Sequence, residues 1–288
     1  MSYKHFGRIG DIWKHLPLCE FLQIEQPTSY IETNSAYPEY QLTRSKELEY
    51  GIFYLQQNIQ KSQLIQESVY WQVLNSLPEN KNSLSKYLGS PGLALNILKS
   101  DRNFIFFDLE LECLEAIKIK AQAINKWSTI VLKNEDSIEG LIKIIRDLNS
   151  TDFIHCDPYS IDLKNSNNNS YFDAFCLAMK KGIKGMLWYG FNNIRERESL
   201  HQVFLSKNNT KGTTSIKGIE ISSILLEENI LEVNPGILGC GILIGNLSDV
   251  SKKVFQEMAE ELVKLYRQSM MFDRYSGELK SEEFEIII

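Results

Sequence analysis

The sequence predicts an α/β protein with a mostly parallel sheet and helices on both faces. Three observations carry that expectation. Short apolar runs alternate with longer helical patterns: FIFFD at Phe104–Asp108, TIVLK at Thr129–Lys133, DFIHC at Asp152–Cys156 and KGMLWY at 184–189. Such alternation marks strands joined by helical crossovers. Two later runs, about 216–225 and 238–245, flank a Pro235–Gly236 turn and predict an antiparallel hairpin at one edge of the sheet. Finally, acidic residues recur where these strands end, and ligands of open α/β sheets bind beyond the carboxyl ends of the strands.

Taken in order, residues 10–26 read as a helix because Ile12, Leu16, Cys19 and Leu22 share one face, with Pro17 as a candidate kink. SYIET at Ser29–Thr33 reads as a short buried strand. Residues 43–85 are polar and helical in period and end in the turn-prone NSLPENKNS, which suggests a helical insertion within one domain spanning 1–288. GSPGLALNILKS then gives a tight turn feeding a helix. Helices are expected over about 109–124, 137–148 and 171–181, each after a strand. The Asn-rich stretch 165–169 is the best candidate for a mobile loop. The acidic ending GELKSEEFEIII reads as a surface strand or tail.

Composition narrows the function. The chain has 288 residues, 43% of them hydrophobic and 24% charged, which is ordinary for a soluble globular protein. Its 31 basic residues against 37 acidic ones give a net charge of -6, so simple electrostatic binding to nucleic acid is not expected beyond a local groove. The longest apolar stretch, Gly236–Gly245, is about ten residues, against the roughly 20 that a membrane-spanning helix needs. Lys14 and His15 interrupt the place where a signal peptide would have its apolar core. Five scattered cysteines without a CxxC pair imply neither a disulfide framework nor a zinc site. A cytoplasmic protein without membrane contact is expected.

The strand-end residues are Glu32-Thr33-Asn34, Asp108, Glu135-Asp136 and Asp157-Pro158-Tyr159. Carboxylates there accept hydrogen bonds from ribose hydroxyls and exocyclic amines, which suits a nucleoside ligand. Each acid alone is more often a helix cap or a solvated loop residue. Their joint register is what points to a ligand.

These residues resemble a known family, the bacterial adenine-N6 methyltransferases of 23S ribosomal RNA. The likeness runs from about Tyr3 to about Leu247 and keeps the order of the motifs. YKHFGRIGDIWKH is similar to the family's N-terminal motif, with Asp11, Lys14 and His15 kept. YIETNSAYPEYQL resembles its first strand and cofactor loop, and YLGSPGLALNIL its Gly-Ser-Pro turn. FFDLE stands where the family has a ribose-binding acid, NEDS where it has an Asp-Gly pair near the adenine, and IHCDPYS at the catalytic Asp-Pro-Pro-Tyr position. GMLWYGF and GCGILIGN match the last strands.

The resemblance implies a Rossmann-like class I methyltransferase with a mixed seven-stranded sheet and a helical insertion after the first strand. It also implies S-adenosylmethionine (SAM) as cofactor and an adenine amine of ribosomal RNA as substrate, hence RNA binding and rRNA processing. Asp157, with Pro158 and Tyr159, would hold the amine for in-line attack. Lys14, His15, Asn34, Ser90, Asp108, Asp136 and Ser137 would contact the cofactor, with Asp108 on the ribose and Ser90 at the methionyl end.

Departures accompany the match. The family's Gly-Ala-Gly is Ala36-Tyr37-Pro38 here, which predicts a changed cofactor loop, because Pro38 fixes φ and deletes an N–H while Tyr37 adds bulk. Asn34 stands for a histidine. The catalytic signature lacks its second proline and ends in Ser160, where the family has an aromatic that stacks on the extruded base.

Other readings of the same residues stay open. Asp157 would alternatively cap a turn with Ser160, and Ser137 would cap the helix beginning at EDSIEGL. His155 and Cys156 read as core rather than metal ligands. Trp188 and Tyr189 read as packing, or as a wall for a substrate ring. A diverged enzyme acting on a small-molecule or peptide amine, and a non-catalytic or repurposed relative, are the competing functions. In a non-catalytic module Tyr37 would fill the cofactor cleft.

Overall fold

The first helix, α1 (Ile9–Glu25), buries Ile12, Leu16, Cys19 and Leu22 completely. It continues through Pro17, because burial on every side offsets the roughly 3 kcal/mol that a mid-helix proline costs. The computed structural model describes residues 6–208, 211–223, 237–267 and 279–288. The start of the N-terminal motif and the Pro235–Gly236 turn lie outside them.

The chain goes on with β1 (Ser29–Thr33) and β2 (Glu39–Gln41). Four short helices follow, α2 (Lys46–Tyr50), α3 (Ile52–Asn58), α4 (Gln63–Gln66) and α5 (Val69–Ser76). Serines 45, 62 and 68 cap three of them by accepting backbone N–H bonds. Next come β3 (Lys86–Leu88), α6 (Ser90–Ile97), β4 (Asn103–Phe107), α7 (Leu111–Ala123) and β5 (Ile130–Lys133). The second half holds α8 (Ser137–Ile145), β6 (Phe153–Cys156), α9 (Tyr171–Lys180), β7 (Lys184–Phe191) and α10 (Ile194–Lys207). It ends with β8 (Ser215–Ser223), β9 (Gly239–Gly245), α11 (Asp249–Arg267) and β10 (Leu279–Ile287).

The main sheet has eight strands in the order β10-β8-β9-β7-β6-β1-β4-β5. The five strands from β7 to β5 are parallel, and β9 runs antiparallel between β7 and β8. This is the expected Rossmann-like sheet, mixed and mostly parallel, with eight strands where seven were expected. The extra strand is β10, which pairs along the whole of β8. It forms because Leu279 and Ile286 find cover on the sheet while Glu282, Glu283 and Glu285 stay outward. The late antiparallel pair is therefore interior to the sheet, and not at its edge as expected. A separate two-stranded sheet joins β2 to β3.

Two cores flank the main sheet. One gathers α1, α3–α6, α7 and α11 around Trp13, which stacks on Phe255 at 5.4 Å. The other lies under α8, α9 and α10. Aromatic side chains cross the strand glycines: a Cβ on Gly241 would lie 2.2 Å from the Tyr189 ring. Away from the strand ends, Glu25 at the foot of α1 accepts bonds from Ser248 and Ser251 at the start of α11 and from Lys184 of β7. No described helix is long and apolar enough to cross a membrane.

Candidate active site

β1 is the switch point of the sheet, since the chain leaves it for β4 on one side and β6 on the other. The candidate residues gather beyond the carboxyl ends of these strands. Asp157 follows β6 directly. Its Oδ2 accepts a bond of 2.5 Å from Lys14 Nζ of α1, and the same ammonium lies 3.2 Å from Asp11 Oδ1. Burial would lower the Lys14 pKa, but Asp157 and Asp11 outweigh it and raise the pKa, so the ammonium stays charged. Burial raises Asp11, with Lys14 opposing. The Lys14 ammonium also lies 5.4 Å from the centre of the Trp188 ring.

Beneath Asp157, β1 carries a buried acid that the sequence reading placed at a strand end but not in the site. Glu32 Oε2 accepts from Tyr30 Oη at 3.0 Å, and the same hydroxyl is 3.0 Å from His155 Nδ1. Glu32 is fully buried. Burial raises its pKa, and hydrogen bonds from His155, Ser90 and Tyr30 oppose the rise. Tyr30 and Glu32 share a face of β1 by the two-residue period, the one signal that could have joined them. His155 and Cys156 are buried, and no trio of His, Cys, Asp or Glu among the described residues converges as a metal requires.

The loop after β1 keeps a glycine-like backbone without glycines. Asn34 and Ala36 both sit in the left-handed region, at φ 58° and 55°. Asp108, just past β4, fixes that shape: Oδ2 accepts from Ala36 N at 2.8 Å and Oδ1 from Glu110 N at 2.8 Å. The loop rests on the Gly-Ser-Pro-Gly turn at the start of α6. A Cβ on Gly92 would meet the Pro38 carbonyl oxygen at 2.0 Å, and one on Gly89 the Tyr37 oxygen at 2.3 Å. The approach of two backbones is what these two glycines permit. Tyr37 does not lie over β1; its hydroxyl donates to Glu112 of α7 at 3.3 Å, in an exposed bond.

The remaining predicted residues fall in several places. Ser90 is buried as the first residue of α6 and bonds Glu32. His15 is buried, its Nδ1 2.8 Å from Tyr87 Oη. Asp136, and not Ser137, caps α8 by accepting from Glu139 N at 2.9 Å. Ser137 instead bonds Tyr171 Oη at 2.7 Å. Pro158 is buried but Tyr159 is fully exposed. Ser160 bonds Asp162 at 2.6 Å, so no Asp157–Ser160 turn cap forms. Trp188 and Tyr189 point to opposite faces of β7, so they make no common wall. Tyr189 donates to Glu220 at 2.6 Å on the far side. The loop at 165–169 is closed on itself by bonds to the Asn165 side chain, which also donates to Glu139.

Thr33 Oγ1 and Asn34 Oδ1 at the end of β1, and His15 Nε2 of α1, meet no hydrogen-bond partner among the described residues, while Glu32 Oε1 lies 3.4 Å from His155 Nδ1. Buried polar atoms in native proteins are seldom left without a partner.

No known family model matches the chain, and no curated protein matches it. Among solved structures, protein LPL1258 from Legionella pneumophila str. Philadelphia 1, described as family-model DUF519, aligns over 98% of each chain at 23% identity and a TM-score of 0.73. The O-methyltransferase TomG from Streptomyces achromogenes, in complex with SAM, aligns over 81% of this chain and 79% of its own at 8% identity and a TM-score of 0.44. An O-methyltransferase from Bacillus cereus, in complex with SAH, covers 81% and 80% at 9% identity and 0.43. The last two align too loosely to bear on chemistry here. The chain shares the fold of the Legionella protein.

Proposed function

We propose that the protein is a SAM-dependent methyltransferase acting on an amine nitrogen, with Asp157 as the residue that orients the amine. The observation that carries this reading is the Asp157 carboxylate at the end of β6, held at the switch point of the sheet by the buried Lys14 ammonium.

The residues present fit the cofactor. Glu32 and Asn34 offer acceptors for its amino group, and His15 and Ser90 lie at the same end. Asp108 stands for the ribose hydroxyls, and Asp136 and Ser137 for the adenine. The orphaned atoms of β1 and His15 are of the right chemistry for an amino-acid group. When bound, SAM supplies a methyl group on a positively charged sulfur. Asp157 accepts a hydrogen bond from the amine N–H and so turns the nitrogen lone pair toward that methyl. Lys14 keeps the carboxylate in one rotamer, and orientation supplies much of the rate. Lys14 remains protonated beside two carboxylates, so Asp157 or water takes the proton released after transfer.

The resemblance of the motifs favours an adenine of ribosomal RNA as the substrate class. The outward Tyr159, Ser160 in place of an aromatic, and the net charge of -6 favour a second reading, a small-molecule or peptide amine. A non-catalytic module with its cleft plugged by Tyr37 gains no support, because that ring turns toward α7.

Calorimetric titration with SAM and S-adenosylhomocysteine tests the reading, with Asp108→Ala as control. Micromolar binding, about -8 kcal/mol, that the control loses is expected. No binding at millimolar cofactor would overturn it. Methylation of ribosomal RNA against peptide and small amines then separates the two substrate classes.

A further inference from the structure

A line of buried hydroxyls ends on His15. Tyr70 of α5 and Tyr87 of β3 lie inside the protein. The Tyr70 hydroxyl donates to the Tyr87 oxygen at 3.3 Å, and that oxygen lies 2.8 Å from His15 Nδ1. The other ring nitrogen, Nε2, is buried and meets no partner among the described residues. Burial, then Lys14 and His155, hold the His15 pKa well below its ordinary value. The ring is therefore neutral and carries its proton on one nitrogen only.

Counting protons decides which. Tyr70 already donates to the Tyr87 oxygen. Were the proton on Nδ1, it too would go to that oxygen, and the Tyr87 proton and the bare Nε2 would both be stranded in the interior. With the proton on Nε2, Tyr70 donates to Tyr87 and Tyr87 to Nδ1. Both hydroxyl protons are used, and only the Nε2–H is left over. A buried group left without its hydrogen bond is costly, so the arrangement that strands one group prevails over the one that strands two.

We propose that Tyr87, itself oriented by Tyr70, is a positioning residue that fixes His15 as the Nε2–H tautomer and so presents a buried N–H donor to a carboxylate at the site. The identity of that carboxylate, the amino-acid end of the cofactor, rests on the function proposed above; the tautomer does not. The helical insertion thus acts on the site through α5 and β3, which lie within or next to it and touch no other candidate residue by this route.

The test is long-range proton–nitrogen spectroscopy of the full chain with labelled histidine, with the His15 signals assigned by their loss in His15→Gln. The expected result near neutral pH is a protonated Nε2 and a bare Nδ1. In Tyr87→Phe the preference should be lost, and SAM affinity should fall about tenfold. Tyr87→Phe should add nothing further in the His15→Gln background. A protonated Nδ1 or a cationic ring in the unaltered protein would overturn the proposal, even if the variant fails to fold. SAM binding with a tautomer indifferent to Tyr87→Phe would overturn it while leaving the methyltransferase reading intact. The expected tautomer with no SAM binding would sustain the positioning role and remove the methyltransferase reading.

Discussion

At the scale of single residues, the site is a set of charges held by few contacts. Under the proposed function, Asp157→Asn keeps the shape but weakens the hold on the amine. We expect methyl transfer to drop at least about 100-fold while cofactor affinity changes less than about threefold, a split visible in single-turnover rates against calorimetry. Lys14→Met leaves Asp11 and Asp157 facing each other without a cation. It should cost about 3 kcal/mol, read from the urea midpoint. Ala36 pays for its left-handed φ with strain that glycine would not have, so Ala36→Gly should raise stability by about 0.5–1 kcal/mol by the same measurement. The sequence showed Asp157, Lys14 and Asp108 as candidates, because strand ends and motif order are local signals. It could not show that Lys14 binds Asp157, a contact across 143 positions. Nor could it show that the loop after β1 is held by the Ala36 N–H bond to the Asp108 carboxylate, across 72 positions.

At the scale of elements, the buried strands were legible because parallel strands are apolar without alternation, as FIFF and FIHC are. Two helices carried no assignment. α11 had a readable signal, since Phe255, Met258, Leu262 and Tyr266 recur at helical spacing and are all buried. α10 is harder: its charged face gives little period, and only Leu200 and Phe204 are buried. What fastens α10 is Glu220 of β8, a buried acceptor for Tyr189, Arg197 and His201. Glu220→Gln should therefore loosen α10 and cost about 2–3 kcal/mol in urea unfolding, with little effect on cofactor affinity. β2 and β3 are three residues each, too short for any pattern.

At the scale of the whole molecule, the clasp at Glu25 predicts behaviour in acid. Burial would raise the Glu25 pKa, but bonds from Lys184, Ser248 and Ser251 bring it down to about 2, from an ordinary 4.5. Its stabilising effect is thus complete above about pH 4.5 and is lost as pH falls toward 2. Glu25→Gln should lower stability at neutral pH and flatten the loss between those limits, as urea midpoints across pH would show. The eighth strand was foreseen only as a surface strand or tail, because its partner β8 is a matter of tertiary pairing. The packing of Trp13 and Phe21 around Phe255 has a consequence for how the chain is made. α1 leans on a helix more than 200 residues downstream, so on the ribosome the side chains that Phe255 covers wait open until α11 is made. A nascent chain stalled before α11 should recruit holding chaperones through α1, and release them once Phe255 has emerged.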